Sequence, residues 1–266
     1  MTGGTAPVLV ELRGHVLVVT LNRPEVRNAI NLEVSNLIGD ALARADADSD
    51  VWALVISGAG DQAFCAGADL KAISRGESIM SDEPIRRRRG FAQYVSHPIG
   101  KPTIAAVNGF ALGGGTEITL ASDLAVAADV AQFGLPEVRR GILAGAGGTF
   151  RLPRQIPRKV AMEAMLTGEP ITAQRALELG LVNRVVPQSD VLDAALELAA
   201  RVCANAPLAV QATKRIATGI VDGSVPAEDS DWDLSEREAA VVMRSRDAAE
   251  GPRAFSEKRA AVWEAR

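Results

Sequence analysis

A chain of 266 residues that is 47% hydrophobic has enough apolar material to bury a core, as one large domain or two, and its formal net charge of −4 argues against a nucleic-acid protein on bulk electrostatics. Only two cysteines occur, Cys65 and Cys203, which excludes a disulfide framework and fits a reducing compartment. The opening MTGGTAPVLVELRG has neither the basic nor the apolar region of a signal peptide, and no apolar run approaches ~18 residues, so the expectation is a soluble cytoplasmic protein that does not enter a membrane.

Beyond a loose Met1–Ala6, Val8–Leu12 and His15–Leu21 read as two strands around a tight Arg13-Gly14 turn. Asn22–Asn31 is a loop whose last residue caps a helix, in which Val34, Leu37, Ile38, Ala41 and Leu42 recur at helical spacing. Asp46–Asp50 ends that helix in acidic, solvent-facing residues. The apolar strand Val51–Ser57 leads to AFCAGADLK at 63–71, a small-residue turn before a helix start that is suited to exposing a backbone N–H. Cys65 has no base near it in sequence and reads as a small packing residue. Gly76–Arg89 places Gly, Ser, Asp and Pro ahead of four consecutive arginines, Arg86–Arg89, and reads as a mobile loop entering a solvated helix face.

The stretch from Ile104 to Gly148 carries the densest chemistry. Thr103–Asn108 is a short buried strand, and Gly113-Gly114-Gly115 lets the backbone approach a ligand closely. Thr116–Ser122 begins a helix whose first N–H groups point back towards that ligand, where a carbonyl oxygen gaining negative charge is stabilised. Glu117 falls in the first turn of this helix; Glu137 follows Pro136 at the start of another short one. The helix dipole alone accounts for either glutamate taken singly. Two acids beside one oxyanion site point to proton transfer. Segments 51–57, 103–108 and 124–128 each pair a short apolar strand with small-residue turns, a weak internal repeat. From Thr149 the pattern is mostly helical, with Thr172 capping one helix, Gly180 ending it and Leu181–Val186 extended. Helices follow at about 189–204, 207–221 and 227–249, then a last one containing Phe255, Lys258 and Trp263. His15, in a strand, and His97, before Pro98, read as structural.

Six stretches in this order resemble the enoyl-CoA hydratase (crotonase) family: NRPEVRNAI at 22–30, AFCAGADLK at 63–71, KPTIAAVNGFALGGGTE at 101–117, AQFGLPE at 131–137, GAGGTFRLPR at 145–154 and LTGEPITAQRALELGLVNRVVP at 166–187. The resemblance implies an α/β fold with a ββα spiral core over residues 1–200 and a helical C-terminal region over 201–266 that builds a homotrimer or a dimer of trimers. It also implies binding of an acyl-CoA thioester, with coenzyme A as part of the substrate and with no metal or separate cofactor. Glu117 and Glu137 match the two catalytic glutamates, and the N–H groups of Ala66 and Gly114 are expected to form the oxyanion hole. Substrate contacts are expected from Arg27, from Ala66, Gly67, Ala68, Asp69, Leu70 and Lys71, and from Gly113 and Gly114. Phe255 and Lys258 are placed near a neighbouring subunit's CoA. The functional alternative for Gly76–Arg89 is cover over the acyl pocket or an arginine on a CoA phosphate.

Retention of both glutamates favours hydration of a 2-enoyl-CoA over isomerisation, decarboxylation or thioester hydrolysis. The text at 139–150, RRGILAGAGGTF, departs from the family in Arg139-Arg140, Ala144 and Phe150, which leaves room for a specialised hydroxyacyl-CoA dehydratase. A non-catalytic acyl-CoA-binding protein would not need the glutamate pair. A serine protease of related fold would need a nucleophile, a histidine and an orienting acid, and neither of the two histidines lies in a loop with an evident serine partner; a dinucleotide-dependent dehydrogenase would need a G-x-G-x-x-G after its first strand, which is absent.

Overall fold

The computed structural model describes residues 6–266; residues 1–5, most of the stretch expected to be loose, lie outside the described part. Strands β1 (Val8–Arg13) and β2 (Val16–Leu21) pair antiparallel, with Arg13 opposite Val16 across the expected turn. Helix α1 (Leu32–Ala47) starts where Asn31 accepts a side-chain hydrogen bond from the Val34 N–H, and its buried face includes Val34, Ile38, Ala41 and Leu42.

The spiral then makes three similar passes. Strand β3 (Ala53–Gly58), β4 (Ala63–Cys65) and α2 (Leu70–Ser74) form the first, and α3 (Pro84–Arg88) precedes the second. The second is β5 (Thr103–Val107), β6 (Phe110–Leu112) and α4 (Gly114–Ala121). The third is β7 (Leu124–Ala128), β8 (Gln132–Gly134) and a 3-10 turn at Pro136–Arg140. In each pass the first strand joins a large sheet and the second a small one. The large sheet has the order β1-β2-β3-β5-β7 plus a sixth strand, β10. Before β10 come α5 (Gly148–Gln155), α6 (Arg158–Thr167), β9 (Ile171–Thr172) and α7 (Ala173–Glu178), and β10 is Arg184–Val186. The small sheet runs β4-β6-β8-β9. The weak repeat in the sequence is therefore the ββα spiral itself. Its central strands are parallel and buried throughout, as continuous apolar runs such as TIAAV require.

Helix α8 (Val191–Cys203) packs on β3, β5 and β7, so the expected division near residue 200 falls inside an element of the core. Helices α9 (Pro207–Thr218), α10 (Asp229–Val242) and α11 (Arg246–Ser256) complete the chain. Two expectations are corrected here. The helix expected at 227–249 is two helices, because Ser245 caps a new start by accepting from the Ala248 N–H. The last helix ends at Ser256, before Lys258, which has φ +53, and Trp263 lies beyond it. Gly76–Arg89 is also less loose than its composition implies, since Arg86 bridges Asp40 on α1 and Glu83 at 2.9 and 3.1 Å. Among the described residues no helix is long and apolar enough to cross a membrane.

Removing the Asn31 cap as Asn31→Ala is expected to destabilise the fold by about 1 kcal/mol, read as a lower urea midpoint at unchanged slope. An unchanged midpoint would mean that α1 is held by packing alone.

Candidate active site

Helix α4 is brought against the small sheet by glycines that cannot be replaced without a clash. A side chain at Gly115 would overlap the Cys65 carbonyl of β4, and one at Gly113 (φ +56) would stand 2.8 Å from Glu137 Oε1. The Thr116 hydroxyl ties the same turn down, donating to the Ala111 carbonyl at 2.6 Å and accepting from the Gly134 N–H at 2.9 Å. Glu117, only 3% exposed, is therefore carried inward on the first turn of α4. One of its carboxylate oxygens, Oε1, accepts from the N–H groups of Ala146 (2.7 Å) and Gly148 (3.0 Å). Glu137 reaches the same region from the Pro136–Arg140 turn, and its buried Oε2 has no hydrogen-bond partner among the described residues.

Both carboxyls favour their protonated forms. Burial raises Glu117 to about 7, against the opposing pull of its two backbone N–H bonds and of Arg151. Burial raises Glu137 to about 8, and the negative charge of Glu117 pushes in the same direction. Two neighbouring carboxyls that both favour the protonated form can divide the work, one accepting a proton while the other donates.

The backbone donors differ from expectation at one position. The Ala66 N–H donates to the Arg27 carbonyl at 3.0 Å and is not free for a ligand. Two residues on, the register of the Ile30–Ala68 bridge decides the matter. Ile30 N–H donates to Gly67 O and Asp69 N–H to Ile30 O, both at 2.9 Å, so the Ala68 N–H points away from that partner and has no acceptor among the described residues. Gly67 (φ +88) lies so close to α4 that a side chain there would stand 3.2 Å from the Gly114 nitrogen. The donors brought together are thus Ala68 and Gly114, with Ala66 replaced.

The remaining candidates separate by what their side chains touch. Asp69 is occupied structurally: it pairs with Arg23 at 3.0 Å and accepts from the N–H groups of Lys71 and Ala72 at 3.1 Å, starting α2. Arg27, Leu70 and Lys71 have exposed side chains around that turn. Phe255 and Lys258 line a shallow cavity of about 240 Å³ with Arg139 and Arg140, and the Arg140 guanidinium lies 3.9 Å over the Phe255 ring. The histidines and Cys65 stand apart from this chemistry. His15 stacks on Trp52 at 3.6 Å, burial and then the Arg89 charge push His97 down to about 4, and burial pushes the Cys65 thiol up to about 12.

Sequence reasoning missed Phe91. Its ring packs onto Gly114 so closely that no side chain fits there. The turn that presents it holds Ala92 and Gln93 at φ +56 and +48, anchored by Gln93 Nε2 donating to Asn36 Oδ1 of α1 at 2.6 Å. The available signal was Gly90 (φ +72) after the arginine run.

Residues 11–266 match the family model described as enoyl-CoA hydratase/isomerase. The chain is 43% identical to the enoyl-CoA hydratase EchA19 of Mycobacterium tuberculosis over 95% of this chain and 94% of that protein. It is 39% identical to a carnitinyl-CoA dehydratase of Proteus mirabilis over 96% of this chain and 97% of that one. Among solved structures it is similar to a carnitinyl-CoA hydratase from Mycobacterium avium, with a TM-score of 0.96, 57% identity, and coverage of 99% of this chain and 100% of that chain.

A carboxyl whose folded pKa is raised contributes stability fully below its unfolded value and loses it as pH climbs through the folded value, here about 8 for Glu137. Glu137→Gln, which mimics the neutral form, is therefore expected to raise Tm more at about pH 9 than at about pH 5. An equal change at both would show that Glu137 ionises freely.

Proposed function

The chain belongs to the enoyl-CoA hydratase/isomerase family, and from that premise we propose that it adds water reversibly across the double bond of a 2-enoyl-CoA thioester to give a 3-hydroxyacyl-CoA. The observation that carries this reading is the approach of two carboxyls, both pushed by burial towards their protonated forms, to the Ala68 and Gly114 N–H groups, which have no acceptor among the described residues.

The thioester oxygen sits between the Ala68 and Gly114 N–H groups, which stabilise the charge it gains as the enolate forms. Glu117, ionised and held through Oε1, keeps its second oxygen to orient and deprotonate a water for attack at C3. Glu137, protonated, delivers the proton to C2, and its unpartnered Oε2 suits a group whose partner arrives with the substrate. The pair exchanges its proton across the reaction and needs neither a metal nor a redox cofactor. In the reverse direction the same groups expel water from a hydroxyacyl-CoA. Arg27, Lys71 and the Arg139, Arg140, Phe255, Lys258 cluster supply the cationic and aromatic groups for the CoA portion. Exposed Leu208 (77%) and Ile216 (83%) on α9 support burial between subunits of a homotrimer or dimer of trimers, and the two free thiols suit the cytoplasm.

A second reading, dehydration of a substituted hydroxyacyl-CoA, is supported by the Arg139, Arg140, Ala144 and Phe150 departures beside Glu137 and by relatives named carnitinyl-CoA dehydratase. Loss of conjugated-thioester absorbance with crotonyl-CoA, longer 2-enoyl-CoA esters, and its gain with carnitinyl-CoA separate the two. Glu117→Gln and Glu137→Gln are each expected to lower the rate at least ~10²-fold with CoA-ester affinity largely intact. Normal turnover in either variant would remove that glutamate from the mechanism.

A further inference from the structure

Behind Glu117 lies a largely buried cation that takes no part in the proposed proton transfers. Arg151, with its side chain 11% exposed, stands on the first turn of α5, and its N–H donates to the Gly147 carbonyl at 3.0 Å. Gly147 is the residue between the two amides that grip Glu117 Oε1. A side chain at Gly147 (φ +100) would stand 3.2 Å from Arg151 Nη1 and 3.1 Å from Trp232, so the guanidinium and the indole fill the space behind that grip. Nη1 itself is buried and has no hydrogen-bond partner among the described residues.

The other side of the guanidinium is bound bidentately by Glu228, Nε to Oε1 at 3.0 Å and Nη2 to Oε2 at 2.6 Å, from the turn that opens α10. Trp232 and Phe150 meet edge to face at 4.9 Å and enclose it, with its central carbon 5.3 and 5.6 Å from the two rings. The charged groups facing this centre are few. Glu117 approaches from α4 and Glu137 bears on Glu117 from the Pro136 turn, while Arg154 of α5 is taken up by Asp231 of α10 at 2.8 Å. Arg151 favours ionisation of Glu117, against burial.

We propose that Glu228 is a counter-charge that, through Arg151, sets how readily Glu117 ionises, which makes both of them positioning residues for the proton-transfer carboxyl. The inference rests on the reading of Glu117 as the group that handles the water. A bare guanidinium beside a carboxyl lowers its pKa by about 1–3 units, whereas a guanidinium held bidentately by a second carboxylate is nearly neutral towards a third group. With Glu228 in place Glu117 ionises near the working pH. Without it, the orphan charge at Nη1 would be drawn to Glu117 and stabilise its carboxylate, leaving it a weaker base towards the water. Residues 226–242 thus act on the chemistry as well as covering it, and Phe150, one of the departures from the family text, helps to hold the cation in place.

The test depends on opposite signs. In Glu228→Gln the Glu117 ionisation, read from the pH dependence of kcat/KM, is expected to move down by about one unit; in Arg151→Met it is expected to move up by about one unit. The double variant is expected to return towards the wild-type profile. Shifts of the same sign, or a loss of Tm with an unmoved profile, would reduce the cluster to a structural brace and overturn the proposal. If Glu228→Gln does not fold, Glu228→Asp, which withdraws the charge by one methylene, is expected to give a smaller downward shift, and no shift would again overturn it. A 13C titration of labelled glutamate carboxyls, with Glu117 assigned by Glu117→Gln, reads the same shifts without turnover. Expected shifts in that titration together with full activity in Glu117→Gln would leave the counter-charge standing and remove the hydration mechanism instead.

Discussion

The structure turns on the burial of one carboxyl group. Glu117 is taken almost wholly out of water and given two backbone N–H groups on a single oxygen. Charge-assisted hydrogen bonds of that kind favour the carboxylate, while loss of water favours the acid, and here the second effect is the larger. A carboxyl balanced in this way is neither a fixed anion nor an inert acid. The surroundings follow from keeping it so. The Gly145–Gly148 turn must expose two successive-but-one amides, α5 must close behind it, and Gly113 must lack a side chain so that Glu137 can enter.

The backbone donors depend on an equally close approach of two passes of the spiral. The first pass supplies the Ala68 N–H and the second the Gly114 N–H, and they meet because β4 and β6 are parallel neighbours in the small sheet. Glycine at 67 and 115 brings the two main chains together, since a side chain at either would press on Gly114 or on the Cys65 carbonyl. The sheet thereby fixes the separation of the donors. No flexible side chain has to be ordered when charge develops, and preorganisation of that kind is what makes backbone amides effective at an oxyanion.

Much of this could be read from local pattern. Asn31 and Thr172 were recognisable as caps because each stands ahead of an apolar run with helical spacing, and both caps are made. The strand at Leu124–Ala128 and the hairpin of β1 and β2 followed from hydrophobic runs alone. The position of Glu117 in the first turn of a helix after three glycines was equally legible. Position 66 was misread for a physical reason: which N–H of the AGAD turn is free depends on long-range pairing, since the Arg27 carbonyl takes the Ala66 N–H while Ile30 engages Gly67 O and the Asp69 N–H, and those partners lie more than thirty residues earlier. The break at Ser245 was hidden because Ser is tolerated inside a helix and becomes a cap only when the chain turns. The Arg151–Glu228 pair joins residues 77 apart, a separation at which charge pattern carries no signal.

The proposed chemistry and the departures from the family text therefore sit on different kinds of element. Glu117, Glu137 and the backbone donors proposed for the oxyanion hole lie on the spiral, where parallel strands order the main chain and a substitution disturbs packing on both sides. The groups that differ from the family text lie outside its strands: Arg139 and Arg140 on the turn that carries Glu137, Ala144 on the loop that follows, and Phe150 against Trp232. None of them belongs to a sheet. Changes there leave the strands that carry the proposed site in place. One reaction, water moving on or off the carbon β to a thioester, is in this way compatible with relatives whose names carry different acyl groups. The limit on that freedom is Arg151, because a change that exposes its charge to Glu117 would alter the chemistry itself.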